Sequence, residues 1–131
     1  MSEEIKVSFN LQAVNGFFTD KASLGQVSFD QTNAGRGGTT QTFTDSETDF
    51  DQAGVTTEGL AFIRNIEPAG RASFEFGPEI GTSGAAELIC TLEPGDFAFF
   101  RMKQGAQLRG VAVPVGTAYT TCKVDIRIYE N

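Results

Sequence analysis

The sequence predicts an all-β protein: an antiparallel β-sandwich of jelly-roll type, with about eight strands in one domain over residues 1–131. Short segments in which apolar and polar residues alternate recur along the chain, as expected of strands with one buried face. Gly, Pro, Asn and Asp separate these segments at intervals of roughly 8–15 residues, which is typical of sandwiches and barrels. No segment shows the spacing of an amphipathic helix.

The N-terminal region predicts two strands and then a long surface loop. The first strand alternates over 5–11, and the Asn-Gly pair at 15–16 is a strong hairpin turn signal. Alternation begins again at Val27. Residues 30–42 ("DQTNAGRGGTTQT") contain no apolar residue except Ala34, which predicts a loop.

The glycines around Arg36 in this loop raise the possibility of a phosphate site. A phosphate-binding loop lies between a strand and the N-terminus of a helix, and it is usually followed by Lys. The segment "NAGRGGTT" has neither feature. A flexible loop is therefore the favoured interpretation.

The remaining strands follow at short intervals. They are predicted over 59–66, 72–77, 86–92, 97–102, 107–114 and 120–130. A Pro94-Gly95 turn joins two of them. The last strand has the clearest alternation, and its inward residues are Cys122, Val124, Ile126 and Ile128.

The strand over 97–102 is apolar on both faces, since Phe97 and Phe99 share one face and Ala98, Phe100 and Met102 share the other. A sheet in a two-layer sandwich has one wet face, so a second apolar face indicates an interface. We expect a neighbouring subunit to cover it, with the 30–42 loop as the alternative cover. The predicted interface residues are Phe97, Phe99, Phe100, Met102, Ile63 and Ile89.

Charge and composition exclude several classes of function. The net charge is −7, from 17 acidic and 10 basic residues, which argues against binding of a nucleic-acid backbone. The chain has no His, which removes Ser-His and Cys-His nucleophile pairs and zinc sites of Cys and His. We expect no enzymatic activity, no cofactor, no metal and no membrane partner.

Four acidic residues, Asp45, Glu47, Asp49 and Asp51, recur at every second position. Like charges this close favour a solvated edge strand. An EF-hand alternative uses Glu47, Asp49, Asp51 and Glu58, but position six is Gln52 instead of Gly. A glycosidase pair drawn from these acids is a further alternative.

The two cysteines, Cys90 and Cys122, are predicted to be buried thiols. The N-terminus lacks the apolar stretch of a secretory signal, so a reducing cytoplasm is expected, where a disulfide is disfavoured.

Residues 55–131 resemble a set of small virion proteins from tailed bacteriophages. The shared elements are an aromatic-aliphatic-Arg-Asn strand, a strand ending in Gly-Pro, a Leu-x-Pro-Gly-acid turn, a strand ending in Arg, a Gly-x-x-Leu strand and a C-terminal strand. In this chain they are Phe62–Asn65, Phe76–Pro78, Leu92–Asp96, Phe100–Arg101, Gly105–Leu108 and Ile126–Tyr129.

This resemblance implies a non-enzymatic structural protein of the virion, assembled in the host cytoplasm. A capsid decoration or cement protein is the favoured role, with the major capsid protein as partner and a homo-oligomer, expected to be a trimer, as its state. A tail or baseplate component is the alternative within this class. A carbohydrate-binding β-sandwich module is the alternative from another class, because jelly rolls often serve as lectins.

Overall fold

The computed structural model describes residues 5–31, 35–81 and 84–131, and within these ranges the protein is all-β. It has twelve strands there, joined by turns and short loops. They are β1 (Ile5–Asn15), β2 (Phe18–Phe29), β3 (Arg36–Gly37), β4 (Thr40–Phe43), β5 (Thr48–Asp49), β6 (Glu58–Asn65), β7 (Ser73–Ile80), β8 (Ala85–Ala86), β9 (Cys90–Leu92), β10 (Phe97–Arg101), β11 (Leu108–Val113) and β12 (Cys122–Glu130). No helix in the described ranges is long and apolar enough to cross a membrane.

The chain divides into two compact units, Met1–Thr32 and Asn33–Asn131, whereas the sequence predicts one domain. In the first unit, β1 and β2 form an antiparallel hairpin. Asn15 pairs with Phe18, and Gly16 between them has a φ of +60°. Since Phe17 has no positive φ, the turn follows the type II′ pattern, which needs Gly at its first central position. The predicted hairpin turn at 15–16 is confirmed.

The second unit is an antiparallel β-sandwich, which confirms the predicted fold class. One sheet, called the β12 sheet, has the order β10-β6-β12-β3, with β4 also paired to β12. The other, called the β7 sheet, has the order β5-β11-β7-β8, with β9 also paired to β7. The chain changes sheets at most of the connections from β4 onward. The jelly-roll type itself stays a prediction.

Both sheets contribute side chains to one apolar core. The predicted inward residues of β12 have no exposed surface, and they are Cys122, Val124, Ile126 and Ile128. On β7, Phe74 and Phe76 are buried with ring centroids 5.7 Å apart, and Phe43 lies 4.7 Å from Phe74. Such tilted and offset ring pairs add to the free energy gained by burying their area.

A buried asparagine, Asn65, connects the end of β6 to the β7 sheet. Its Nδ2 donates hydrogen bonds to the carbonyls of Ala72 and Leu92, at 3.2 and 3.0 Å. The main chain of Asn65 also exchanges hydrogen bonds with the turn after β9, at Gly95 and Asp96. Two of the quoted motifs, the Arg-Asn strand end and the Leu-x-Pro-Gly-acid turn, therefore contact each other.

The predicted surface loop over 30–42 is wrong for residues 36–37 and 40–42. These residues belong to β3 and β4, which pair with β12 at the edge opposite β10. Gly38 permits the close approach, because a Cβ there would lie 2.4 Å from the carbonyl oxygen of Ile126. At that edge β3 and β4 cannot cover β10, as the alternative interpretation of the 30–42 loop would require. Residues 32–34 of the predicted loop lie outside the described ranges.

The predicted strand over 86–92 is interrupted. Ala86 pairs with Glu79 and Cys90 pairs with Phe76, so residues 87–89 lie opposite only Gly77 and Pro78. Three residues opposite two form a β-bulge. Gly77 makes the bulge possible, since a Cβ there would lie 1.7 Å from the carbonyl oxygen of Glu87.

Candidate binding surfaces

The register between β10 and β6 decides which face of the two-faced strand is inward. Ala98 pairs with Ile63 and Phe100 pairs with Ala61. Opposed residues share a face, and Ile63 and Ala61 are fully buried in the core. Ala98 and Phe100 therefore face the core, and Phe97 and Phe99 face away from it.

The outward faces of β10 and its neighbour β6 carry an aromatic cluster that we call the outer Phe cluster, consisting of Phe62, Phe97 and Phe99. Phe99 pairs directly with Phe62, and the rings of Phe62 and Phe97 stack with centroids 5.9 Å apart. Phe97 keeps 51% of its surface exposed. Phe97 and Phe99 of this cluster are among the predicted interface residues, and Phe62 is not.

Two of the predicted interface residues belong to the core of the chain itself. Ile63 has no exposed surface and Met102 has 6%, so packing within the sandwich accounts for both. Phe100 is half-buried and stacks on Phe76 at 6.1 Å. Phe97 and Ile89 are exposed, and an interface role for them stays a prediction.

A pocket of about 570 Å³ opens between β10 and the β7 sheet. Its walls come from β7, the bulge before β9, β10 and the residues between β10 and β11. Phe76, Met102 and Leu108 line it, and each is at most 6% exposed. Because so little of these three side chains is exposed, the accessible wall of the pocket comes mainly from half-buried residues such as Ala98, Phe100 and Ala106.

The bulge at 87–89 shapes one wall of the pocket. Ile89 at its end is 69% exposed, and Cys90, the next residue, is half-buried in the wall. The sequence predicts a buried Cys90, and the structure corrects this because the pocket leaves one side of the residue open.

The charged residues of the pocket have one sign. Among the described residues that line it, Arg101 and Lys103 are basic and none is acidic. The other lining side chains are hydrocarbon or sulfur-containing, so these two carry the only side-chain nitrogen or oxygen. The chain as a whole is acidic, with a net charge of −7.

The other cysteine, Cys122, is fully buried as predicted. Its Sγ lies 3.3 Å from Oδ1 of Asn65. Burial, together with the nearby negative charge of Glu67, raises the pKa of the Cys122 thiol to about 12. Both cysteines are free thiols.

The hairpin of the first unit presents an apolar face that sequence analysis did not identify. Its pairing places one mostly apolar set of side chains on the same face, which we call the hairpin face: Ile5, Val7, Phe9, Leu11, Ala13, Phe18, Ala22, Val27 and Phe29, together with Asn15, Asp20 and Gly25. Phe9, Leu11 and Phe18 are 37%, 48% and 62% exposed. The alternation over 5–11 was a sequence signal for the β1 side of this face. The β2 side could not be predicted in the same way, because the register shift beside Phe9 decides which β2 residues lie opposite the apolar residues of β1.

The acidic residues of 45–58 are dispersed among different partners. Glu47 and Asp49 both approach Arg109 of β11; Asp49 accepts a hydrogen bond from the guanidinium, and Glu47 Oε2 lies 3.9 Å from its Nε. Glu58 instead accepts a hydrogen bond from the backbone N–H of Gly105 at 2.9 Å. In the described ranges, no group of three or more acidic or Cys side chains is placed to hold a metal ion.

The predicted acidic edge is confirmed at Asp49. This residue is exposed and belongs to β5, the edge strand of the β7 sheet. Charge on an edge strand disfavours pairing with another sheet.

Comparisons with models of protein families, with curated proteins and with solved structures find no match to this chain.

Proposed function

We propose that the chain is a non-enzymatic structural protein of a tailed-phage virion, a capsid decoration protein that self-associates and binds the major capsid protein. The observation that carries this proposal is the exposed hairpin face. Apolar side chains line both strands of a hairpin with 11 and 12 residues per strand. A surface of this kind is typical of a protein that assembles with other proteins.

A two-stranded hairpin cannot cover its own apolar face. Such hairpins are at best marginally stable in water, and they gain stability when a third strand or another layer packs on them. Burial of one Phe or Leu side chain contributes about 1.5–3 kcal/mol. Phe9, Leu11 and Phe18 expose 37–62% of their surface, so burial against a partner contributes part of this value for each side chain, set against the entropy cost of association.

Charge favours a second copy of the chain as one of these partners. Residues 5–31 contain two Lys and two Asp, and Glu3 and Glu4 bring the side-chain charge of residues 1–32 to −2 in a chain whose net charge is −7. Two hairpins therefore meet with less like-charge repulsion than the acidic remainder of the chain would give. Opposed apolar faces of identical hairpins form a self-complementary contact of the kind found in symmetric oligomers.

The strand order and the resemblance support the virion class. Strands β4 to β12 exchange repeatedly between two antiparallel sheets, which supports a jelly-roll connectivity. The contact between Asn65 and the turn at Gly95 and Asp96 gives a structural reason for two of the motifs shared with small virion proteins. The acidic net charge is compatible with an outer surface that does not bind packaged nucleic acid.

The test uses the phage that encodes this sequence. Mass spectrometry of its purified virions should detect the protein, and particles made without it should rebind the purified chain. Rebinding should raise the temperature at which the capsid opens. Immunogold labelling at the tail would instead support the tail or baseplate alternative, and absence from the virion would contradict the whole proposal.

A further inference from the structure

We propose that the outward face of the β12 sheet binds an acidic surface of a partner protein. Carboxylates of the partner would pair with Arg64, Lys123 and Arg127, and an apolar or aromatic group of the partner would pack on the outer Phe cluster. This face shares no residue with the hairpin face that carries the proposed function, so either proposal can fail while the other stands.

The strand register places basic side chains together on this face. The inward residues of β12 have no exposed surface. The residues that alternate with them face outward, and they are Lys123, Asp125, Arg127 and Tyr129. Arg64 of β6 lies opposite Asp125, and Arg36 of β3 lies opposite Tyr129. Since opposed residues share a face, Arg64 and Arg36 face outward as well.

Charge is distributed unevenly between the β12 sheet and the rest of the chain. The strands of this sheet carry five of the ten basic residues, all of them exposed: Arg36, Arg64, Arg101, Lys123 and Arg127. They carry three of the 17 acidic residues, which are Asp125, Glu58 and Glu130. Glu58 and Glu130 are 8% and 7% exposed and accept hydrogen bonds from backbone N–H groups. Arg101 already has a partner, so the proposed contact does not use it.

Two of the outward basic groups have no carboxylate partner among the described residues. The ion pair printed on this face by the strand geometry joins Arg127 Nε to Asp125 Oδ2 at 3.2 Å. Glu67 borders the face, and its carboxylate accepts a hydrogen bond from the backbone N–H of Lys123. No ion pair between described residues involves the side chains of Arg64 or Lys123. Both are therefore available to carboxylates of another protein.

An aromatic centre beside these charges is typical of protein–protein interfaces. Phe97 lies opposite Arg64 and Phe62 lies opposite Arg127, so the outer Phe cluster adjoins both arginines. Phe97 is exposed, and its ring stacks on that of Phe62. Interfaces are enriched in aromatic residues and Arg, with a polar rim around an apolar centre. A partner surface with an apolar group among carboxylates therefore matches this face in both respects.

A protein partner suits this face better than a nucleic acid does. Single-stranded nucleic acids bind in positively charged grooves, where their bases stack on aromatic rings. Here the basic residues lie on an open sheet face, and two rings of the cluster stack on each other. The strands of the β12 sheet leave 14 acidic and five basic residues for the rest of the chain, which would repel a strand with a phosphate at every nucleotide.

The test uses the full chain and an acidic decapeptide in which two tyrosines lie between two blocks of four glutamates. Fluorescence anisotropy of the labelled peptide at low ionic strength measures its affinity. It should bind more tightly than the same peptide with serines in place of the tyrosines, and added salt should weaken both. A labelled oligothymidylate of ten nucleotides should bind at least about tenfold more weakly. No binding of the tyrosine peptide, or tighter binding of the oligonucleotide, would overturn the proposal.

Variants locate the contact. The double change Arg64→Gln and Lys123→Gln should weaken peptide binding about tenfold or more. Phe97→Ser should weaken binding of the tyrosine peptide and leave the affinity for the serine peptide nearly unchanged. Lys21→Gln with Lys103→Gln is the matched control, because it removes the same charge from exposed residues outside the β12 sheet. Equal weakening by the two double changes would show that net charge controls binding, and it would overturn the proposal.

The hairpin variant separates this proposal from the proposed function. Ser at both Phe9 and Leu11 should leave the affinity of each chain for the peptide unchanged, whatever its effect on the oligomer. If that variant lost peptide binding while the double change at Arg64 and Lys123 kept it, the peptide would be binding the hairpin face and the proposal would be wrong.

Discussion

At the scale of single residues, neighbouring phenylalanines of β10 have different roles. Phe100 faces the core and stacks on Phe76, whereas Phe97 faces outward with 51% of its surface exposed. The register with β6 fixes this assignment, because Phe100 lies opposite the buried Ala61.

Substitution of these two residues should therefore give different results. Phe100→Ser should lower the free energy of unfolding by about 3 kcal/mol, since it removes a core ring contact and inserts a hydroxyl. Phe97→Ser should change it by no more than about 0.5 kcal/mol. Urea unfolding of both variants measures the difference. Equal destabilisation by the two would contradict the assigned faces.

The buried Cys122 thiol predicts a loss of stability in alkali. Its pKa is raised from 9.0 to about 12 in the folded chain. Well below pH 9 the thiol is protonated in both states, so it has no effect on the pH dependence there. Between pH 9 and about 12 the unfolded chain releases this proton and the folded chain keeps it, so the free energy of unfolding falls as pH rises.

Removal of the thiol should flatten this dependence. Cys122→Ala should be less stable than the native chain at pH 7, because a buried side chain is shortened. The difference between the two should shrink as pH rises from 9 to 10.5. Urea unfolding across this range measures it, with Cys90→Ala as the matched control. A constant difference would contradict the raised pKa of Cys122.

At the scale of elements, the sequence predicted strands best where alternation is uninterrupted. The strand predicted over 120–130 is β12 at Cys122–Glu130, with all four inward residues placed correctly. The β3 and β4 strands were missed because their segment carries almost no apolar residue before Phe43. Their position is determined by the room that Gly38 leaves beside Ile126, which local sequence does not reveal.

The bulge and the pocket have a similar origin. Leu88, Cys90 and Leu92 alternate as one continuous strand would, so local sequence predicts no interruption. The cause lies in the partner strand, where Gly77 leaves space for the carbonyl of Glu87. The sequence could therefore predict that 97–102 has two apolar faces, but the pocket on its inner side depends on pairing between distant segments.

Substitution of Gly77 tests the bulge directly. Gly77→Ala places a Cβ 1.7 Å from the Glu87 carbonyl oxygen, so the backbone must move. We expect a loss of about 1–3 kcal/mol in the free energy of unfolding and faster labelling of Cys90 in the wall beside the bulge. Ser73→Ala on the same strand is the control and should change neither measurement appreciably. A Gly77→Ala chain as stable as the native one would show that residues 87–89 do not pack as described.

At the scale of the whole molecule, the two units differ in how they hold their apolar side chains. The sandwich of residues 33–131 has a core of its own, in which β12, β6 and β7 bury their inward residues. Within its described residues, 5–31, the hairpin unit has no second layer and exposes Phe9, Leu11 and Phe18. We therefore expect the chain to assemble through the hairpin face.

The most direct measurement of this claim is the molar mass of the full chain by light scattering during gel filtration. The native chain should be an oligomer, and Ser at both Phe9 and Leu11 should convert it to a monomer with an unchanged thermal melt of the sandwich. Ser at Asn10 and Gln12, on the opposite face of β1, should leave the oligomer intact. A native chain that is monomeric at high micromolar concentration, or an oligomer that survives the substitutions at Phe9 and Leu11, would contradict assembly through the hairpin face.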